Sequence, residues 1–244
     1  MKISYLTSCK NRTHHLKKTY IHNIKHLFND DVETEFVLLN YNSQDDLDEW
    51  KKSKLNSLHI NLKYLVTRKP RYFNMSHAKN ILGKCATGDV LCWVDADNFC
   101  NKGFSEFIYQ QFTQNINSLM KVSWSEKTSG MGGRIVCSKK NFMKIRGYNE
   151  SFTGWGYEEV DFCERLQRFN IETQEIPYEF LGKINHTDTE RFANYESKNV
   201  VALKNDDKYS AMRYESNYKN FMQSKQNIKN HKLVANLKPN WGEL

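Results

Sequence analysis

From the N-terminus to about residue 100, short apolar runs alternate with longer stretches in which apolar residues recur every three or four positions. Runs of that length bounded by polar clusters suit buried strands, and the longer periodicity suits amphipathic helices. Alternation of the two is the pattern of strand and crossover-helix units around a parallel sheet. The reading predicts strands over Lys2–Thr7, Glu35–Leu39, Leu62–Val66 and Val90–Val94, and helices over Thr13–Phe28, Gln44–Lys54 and Ser76–Ala86, with Ser76 as N-cap. Past Asp97 the rhythm loosens. A helix near Phe104–Asn115, a strand near Lys121–Trp124, a Gly-rich turn at 130–133, a strand Ile135–Cys137 and a helix Lys139–Ile145 are expected there. A loop Gly147–Tyr157, a helix Glu158–Phe169 and a strand Ile171–Ile176 follow. From about Tyr195 the chain is polar and free of glycine until Gly242, which predicts helices wrapping the main body. The fold class is α/β: a mixed, mainly parallel sheet flanked by helices, with a helical C-terminal tail.

Composition narrows the picture. The 244 residues, 39% of them hydrophobic, suit one compact domain and exclude disorder and collagen-like repeats. No apolar run approaches the ~18 residues of a membrane span. The first residues carry too short an apolar stretch for a secretory signal, so a cytoplasmic protein is expected. The six cysteines form no C-x-x-C pair, which points to reduced, buried thiols rather than disulfides or structural zinc. A net charge of +8 fits either a solvated surface or anionic partners. No basic arm appears before Asn217–Lys232, and no nucleic-acid role is expected.

Three predicted strands end in polar clusters: Ser8 to Arg12, Asn40 to Asp45, and Asp95 to Asn98. In an open parallel sheet ligands bind outside the carboxyl ends of the strands, so these clusters should share one crevice. Asp95-Ala96-Asp97 places two carboxylates where the chain leaves a buried strand, the ligand type hard divalent cations take together with phosphate oxygens. A turn or N-cap aspartate is the plainer account of the same residues. Trp155-Gly156-Tyr157-Glu158-Glu159 sets an indole beside acids at a helix start. The helix dipole explains the acids but not the tryptophan between glycines. An indole can stack on a sugar's apolar face while a carboxylate takes a hydroxyl proton. His186 taken alone is an ordinary histidine, and only its neighbours could make it a ligand.

D-x-D, then W-G-x-E-E, then a downstream His resemble, in this order, nucleotide-sugar-dependent glycosyltransferases of the GT-A fold. The likeness is strongest to glycosyltransferase family 2 enzymes of bacterial polysaccharide synthesis and to their relatives, the β-1,4-galactosyltransferases and chondroitin-polymerase-type domains. It runs from residue 3 to about 192, through C-K-N-R-T-H-H-L (9–16), F-N-M-S-H-A-K-N (73–80), A-T-G-D-V-L-C-W-V-D-A-D (86–97), the stretch 132–161, and I-N-H-T-D (184–188).

The resemblance implies a Rossmann-like GT-A domain over 1–194, with a nucleotide-binding half at 1–98 and an acceptor half at 99–194, and a helical extension at 195–244. It implies Mn²⁺ or Mg²⁺ held by Asp97 and His186, and a UDP-sugar donor met by Arg12, Asn40, His77, Lys79, Asp95, Ala96 and Trp155. Glu159 stands for the general base, and Glu158 for the acid that holds hydroxyls. Galactose or N-acetylgalactosamine is the favoured sugar, and a saccharide or lipid-linked saccharide the acceptor. Two positions depart from the family pattern. Lys183 stands where the galactosyltransferases have a methionine ligand, which leaves that place to Asp188 or water, and Asn40 replaces a base-contacting acid. The positive charge suggests peripheral contact with an anionic inner membrane face. A non-catalytic carbohydrate-binding or membrane-surface protein is the alternative, although it has no need for Asp95, Asp97, Glu159 and His186 together.

Overall fold

The computed structural model describes residues 1–29, 31–196 and 205–244. Its first half is β1 (Ile3–Cys9), α1 (Thr13–Leu27), β2 (Thr34–Tyr41), α2 (Leu47–Trp50), β3 (Leu62–Thr67), α3 (Met75–Cys85) and β4 (Val90–Trp93). β1 lies between β2 and β4, β3 lies beyond β2, and all of these pairs are parallel. The strand order therefore reverses at β1, and a crevice opens there outside the carboxyl ends of β1 and β4.

The second half adds β5 (Asn98–Cys100), α4 (Phe104–Gln114), β6 (Ser118–Lys121), β7 (Ile135–Ser138), α5 (Lys139–Lys144), α6 (Glu158–Gln167), β8 (Glu172–Glu175), β9 (Leu181–Lys183), α7 (Asp188–Phe192) and α8 (Asn205–Lys229). The seven-stranded sheet runs β3-β2-β1-β4-β7-β6-β8. β7 is antiparallel to both neighbours, and β8 is parallel to β6. The sheet is thus mainly parallel, as the hydrophobic pattern predicts, and mixed through β7. β5 and β9 pair antiparallel in a separate ribbon beside the crevice.

Side chains alternate across the strands, and both faces are buried. Tyr5, Phe36, Leu38, Val90 and Cys92 meet Leu16, Tyr20 and Ile24 of α1 and Phe104, Ile108 and Phe112 of α4. Leu6, Val37, Leu39, Leu91 and Trp93 meet Ala78, Ile81 and Leu82 of α3, and Phe142, Phe162 and Leu166.

Several predicted boundaries move. Asn74, not Ser76, caps α3, its side chain accepting from the His77 amide at 2.9 Å, and Ser76 is buried inside the first turn. The Gln44–Lys54 helix shrinks to α2 continued by a π-helical turn, Lys51–Leu55. Asp45 accepts the Thr13 amide and the Gln44 amide reaches Asn11 Oδ1, so these residues serve the start of α1 instead. The strand expected at 121–124 forms at Ser118–Lys121, where Leu119 and Met120 pair with β7, and Trp124 is left 84% exposed. The strand expected at 171–176 keeps only Glu172–Glu175, on the sheet edge. Of the predicted C-terminal extension, residues 197–204 lie outside the described residues. α8 packs on α6 and α7, and Trp241 returns to the core against Phe142, ring centres 5.7 Å apart. No described helix is long and apolar enough to cross a membrane.

Candidate active site

A cavity of about 820 Å³ opens at the switch point, floored by the ends of β1 and β4. Asp95, Ala96 and Asp97 all line it. The Ala96 carbonyl accepts from Thr19 Oγ1 at 2.6 Å, which fixes the turn between the two carboxylates. Asp95 rests against the backbone of Gly133, where an added Cβ would stand 1.9 Å from Asp95 Oδ2. Only glycine lets the carboxylate in, which accounts for one residue of the Gly-rich turn.

His186, beyond β9, brings Nε2 to 2.7 Å from Asp97 Oδ2, and its Nδ1 lies 3.2 Å from the Thr187 carbonyl. Nε2 holds a proton against the Asp97 carboxylate here, and with Nδ1–H donating to the Thr187 carbonyl a bound cation would take the place of that proton on Nε2. Burial pushes the Asp97 carboxyl up, but the hydrogen bond and charge of His186, backed by Arg12, outweigh it and hold Asp97 below the usual aspartate range. An ionised carboxylate oxygen and an imidazole nitrogen facing each other are a fitting donor pair for a divalent cation, and the imidazole suits Mn²⁺ better than Mg²⁺. Asp188 does not join them. It lines the cavity, but its oxygens are engaged by Arg191 at 2.9 Å and Arg213 at 3.6 Å. Lys183 donates to the Ser129 carbonyl.

Glu159 lines the same cavity, at the start of α6, with Oε1 2.5 Å from Lys79 Nζ. Glu158 is 3% exposed and lies behind the wall rather than on it. Burial, then the charge of Glu159, pushes its carboxyl up to about 8. The loop before α6 is held in left-handed backbone at Gly154, Gly156 and Tyr157, with φ of +70°, +106° and +71°. For a tyrosine that conformation is costly, and such strain tends to persist at functional loops.

Trp155 presents its ring to the cavity with two guanidinium groups over it, Arg191 at 5.4 Å and Arg213 at 4.9 Å. The indole read as a stacking surface for a sugar thus already carries two guanidinium groups. Ser216 of α8 accepts the Trp155 amide at 3.2 Å and donates to its carbonyl at 2.7 Å, while Asn220 donates to the Gly156 carbonyl at 2.8 Å.

Three expected nucleotide contacts fall elsewhere. Asn40 is 1% exposed and does not line the cavity. Its amide donates to Asp48 and its oxygen accepts from the Ser43 amide, so both ends are spent on the turn after β2. His77 points away, Nδ1 meeting the Tyr41 hydroxyl at 2.8 Å and Nε2 the Glu243 carbonyl at 3.1 Å. Lys79 is sealed in with Glu159. Arg12 does line the cavity and is anchored to the Glu190 carbonyl at 2.7 Å. Lys10, His15, Lys121 and Arg213 line it as well, without having been singled out. His15 and Arg12 stand in one motif, whereas nothing in local spacing marks Arg213, which arrives on α8.

Residues 111–190 match the family described as the N-terminal domain of galactosyltransferase. No curated protein sequence matches the chain. Among solved structures the chain is similar to S. aureus TarS 1-349, at TM-score 0.59 and 14% identity over 72% of this chain and 58% of that one. It is similar to the same TarS fragment in complex with UDP, at TM-score 0.63 and 12% identity over 97% of this chain and 76% of that one. It is also similar to GalNAc-T7 with UDP, GalNAc and Mn²⁺, at TM-score 0.65 and 13% identity over 76% of this chain and 44% of that one. The chain thus spans 58% of the first of these and less than half of the last. Its fold is the GT-A fold of glycosyltransferases.

Proposed function

We propose that the protein is a metal-dependent, inverting glycosyltransferase. It moves a hexose or N-acetylhexosamine, galactose or N-acetylgalactosamine favoured, from a UDP-sugar to a saccharide or lipid-linked saccharide acceptor in surface polysaccharide synthesis. The observation that carries this reading is the meeting of Asp97, His186 and Glu159 on one cavity at the switch point. The family match over 111–190, which covers the Glu158-Glu159 segment and His186, supports it, as do the UDP and Mn²⁺ bound in the similar structures.

Asp97 and His186 would hold the cation, with diphosphate oxygens and water completing its shell. When bound, the ion supplies positive charge against the leaving diphosphate. Arg12 adds fixed charge on the same wall, and Asp95, clasped against Gly133, offers its carboxylate to the ribose. Glu159 accepts the proton of the acceptor hydroxyl, whose oxygen bonds to the anomeric carbon as the bond to the UDP oxygen breaks on the opposite face. The positive net charge would dock such an enzyme on an anionic membrane face, an association that high salt should release.

The test is UDP release from a panel of UDP-sugars with Mn²⁺, Mg²⁺ or EDTA, with wild type, Asp97→Ala and Glu159→Gln. Release from one donor that requires metal, Asp97 and Glu159 supports the reading. Failure to bind any uridine diphosphate, with or without metal, overturns it in favour of a binding protein.

A further inference from the structure

Lys79 is a cation with almost no contact with water. Its side chain is 1% exposed, on the inner face of α3, in a helix whose position Asn74 fixes at one end. The ammonium donates to Glu159 Oε1 at 2.5 Å and lies 5.2 Å from the centre of the Tyr148 ring. Trp93 Nε1 donates to the Lys79 backbone carbonyl at 3.2 Å, tying this turn of α3 to the end of β4, two residues before Asp95. A buried lone ammonium would be very costly, and one paired with the carboxylate that faces the cavity is a different object.

Resting on the reading of Glu159 as the base, we infer that Lys79 is a positioning residue, whose ammonium fixes the orientation of the Glu159 carboxylate and sets a buried positive charge against it. The groups facing Glu159 show why one is needed. Asp95 approaches from the end of β4 and Glu158 from the same turn of α6, and burial together with nearby carboxylates, Glu159 among them, pushes both of their carboxyls up. Tyr148, Tyr195 and Cys163 also face this carboxylate, and burial pushes all three up, so they stay neutral. Lys79 supplies the opposing charge. Burial works against its ammonium, yet the charges of Glu159 and Asp95, with the hydrogen bond to Glu159, outweigh it and push its pKa up. The lysine therefore keeps its proton and does not compete for the one Glu159 must take. Its single hydrogen bond to Oε1 leaves Oε2 for the acceptor hydroxyl.

The experiment is the pH profile of kcat/KM from about pH 5 to about pH 9 for wild type, Lys79→Met, Lys79→Arg and Glu159→Gln, with UDP affinity measured on each. With Lys79→Met the acid limb should move up by about one pH unit or more, activity recovering at high pH, while UDP binding is unchanged. Lys79→Arg, which keeps the charge, should return the limb towards its wild-type position. A uniform loss at every pH with the limb unmoved overturns the inference, and so does a loss of UDP affinity, which would make Lys79 a nucleotide contact. If Lys79→Met does not fold, Lys79→Gln takes its place under the same outcomes, because it keeps a donor for the carboxylate and drops the charge. Glu159→Gln separates the two readings. If that variant transfers sugar as well as wild type, the base assignment has failed. If it loses transfer while Lys79→Met leaves the limb in place, only the role of Lys79 has.

Discussion

His186 Nε2 lies 2.7 Å from Asp97 Oδ2, although 89 residues separate them in sequence. The contact is made because the β5–β9 ribbon begins one residue after Asp97 and ends three residues before His186, with Asn98 opposite Lys183. The Ile184 amide donates to the Asp97 carbonyl at 2.7 Å and extends that register to the site itself. Any change that slips the ribbon should therefore be felt as a change in metal affinity.

Asp97→Ala should abolish the metal-dependent part of UDP binding, and EDTA should bring wild type to the same level. His186→Ala should weaken Mn²⁺ by at least the ~10–100-fold that losing an outer partner of a metal ligand costs. Titration calorimetry with and without Mn²⁺ reads both effects. Unchanged affinity in either variant would remove that residue from the metal set.

Two adjacent glycines provide an internal comparison. An added Cβ at Gly133 collides with the Asp95 carboxylate, whereas at Gly132 it meets nothing within 4 Å. Because the obstacle at Gly133 is a side-chain end, the fold should survive both substitutions within ~1 kcal/mol. Gly133→Ala should weaken UDP binding by about 10–100-fold, the worth of a displaced charged hydrogen bond, and Gly132→Ala should leave it unchanged. Equal affinities in the two variants would take Asp95 out of the nucleotide site.

Glu158 ties stability to pH. Its folded pKa is raised to about 8 by burial and then by Glu159, so the folded chain holds this proton where the unfolded chain has released it. Stability from this group is full below the unfolded value near 4.5 and is lost as pH rises towards about 8. Glu158→Gln, permanently neutral, should unfold at the same urea concentration as wild type at about pH 4. At about pH 9 it should be more stable than wild type, by on the order of a few kcal/mol. A gap that does not grow with pH would refute the assignment.

The pair Asp161–Arg165 is structural by contrast. Their side chains are 1% and 2% exposed and 2.8 Å apart. Arg165 also donates to the Ile145 and Gly147 carbonyls at 3.2 and 2.8 Å, and Ser224 of α8 donates to Asp161 at 2.8 Å. Asp161→Ala leaves a buried guanidinium without its counter-ion and should cost about 3–5 kcal/mol by chemical denaturation. Ser224→Ala, which removes one hydrogen bond, should cost about 1 kcal/mol.

The βα alternation through Trp93 was legible because both faces of the sheet are covered, so strands read as apolar runs and helices as stripes. D-x-D, W-G-x-E-E and His186 each have a plain local account, and were legible as a site through their order along the chain, which resembles that of a known family. Asn40 and His77 read as nucleotide contacts through that resemblance alone. Both sit at the right strand or helix end, but each spends its polar atoms on neighbours that no local pattern shows. The ribbon β5–β9 escaped notice because each of its strands has only three residues.

Local pattern alone was sufficient for the class of fold, the strand ends where a site must open and the carboxylates available there, because periodicity and residue chemistry are properties of neighbours in the chain. Which carboxylate meets which basic side chain was decided by packing. Lys79 belongs to Glu159 and Asp97 to His186 through elements brought together from far apart, and Asp188 meets Arg213 of α8 as well as Arg191 on its own helix. A charge is satisfied by whatever lies within a few ångströms in space, and in a sheet whose strand order reverses that distance is not encoded in sequence separation.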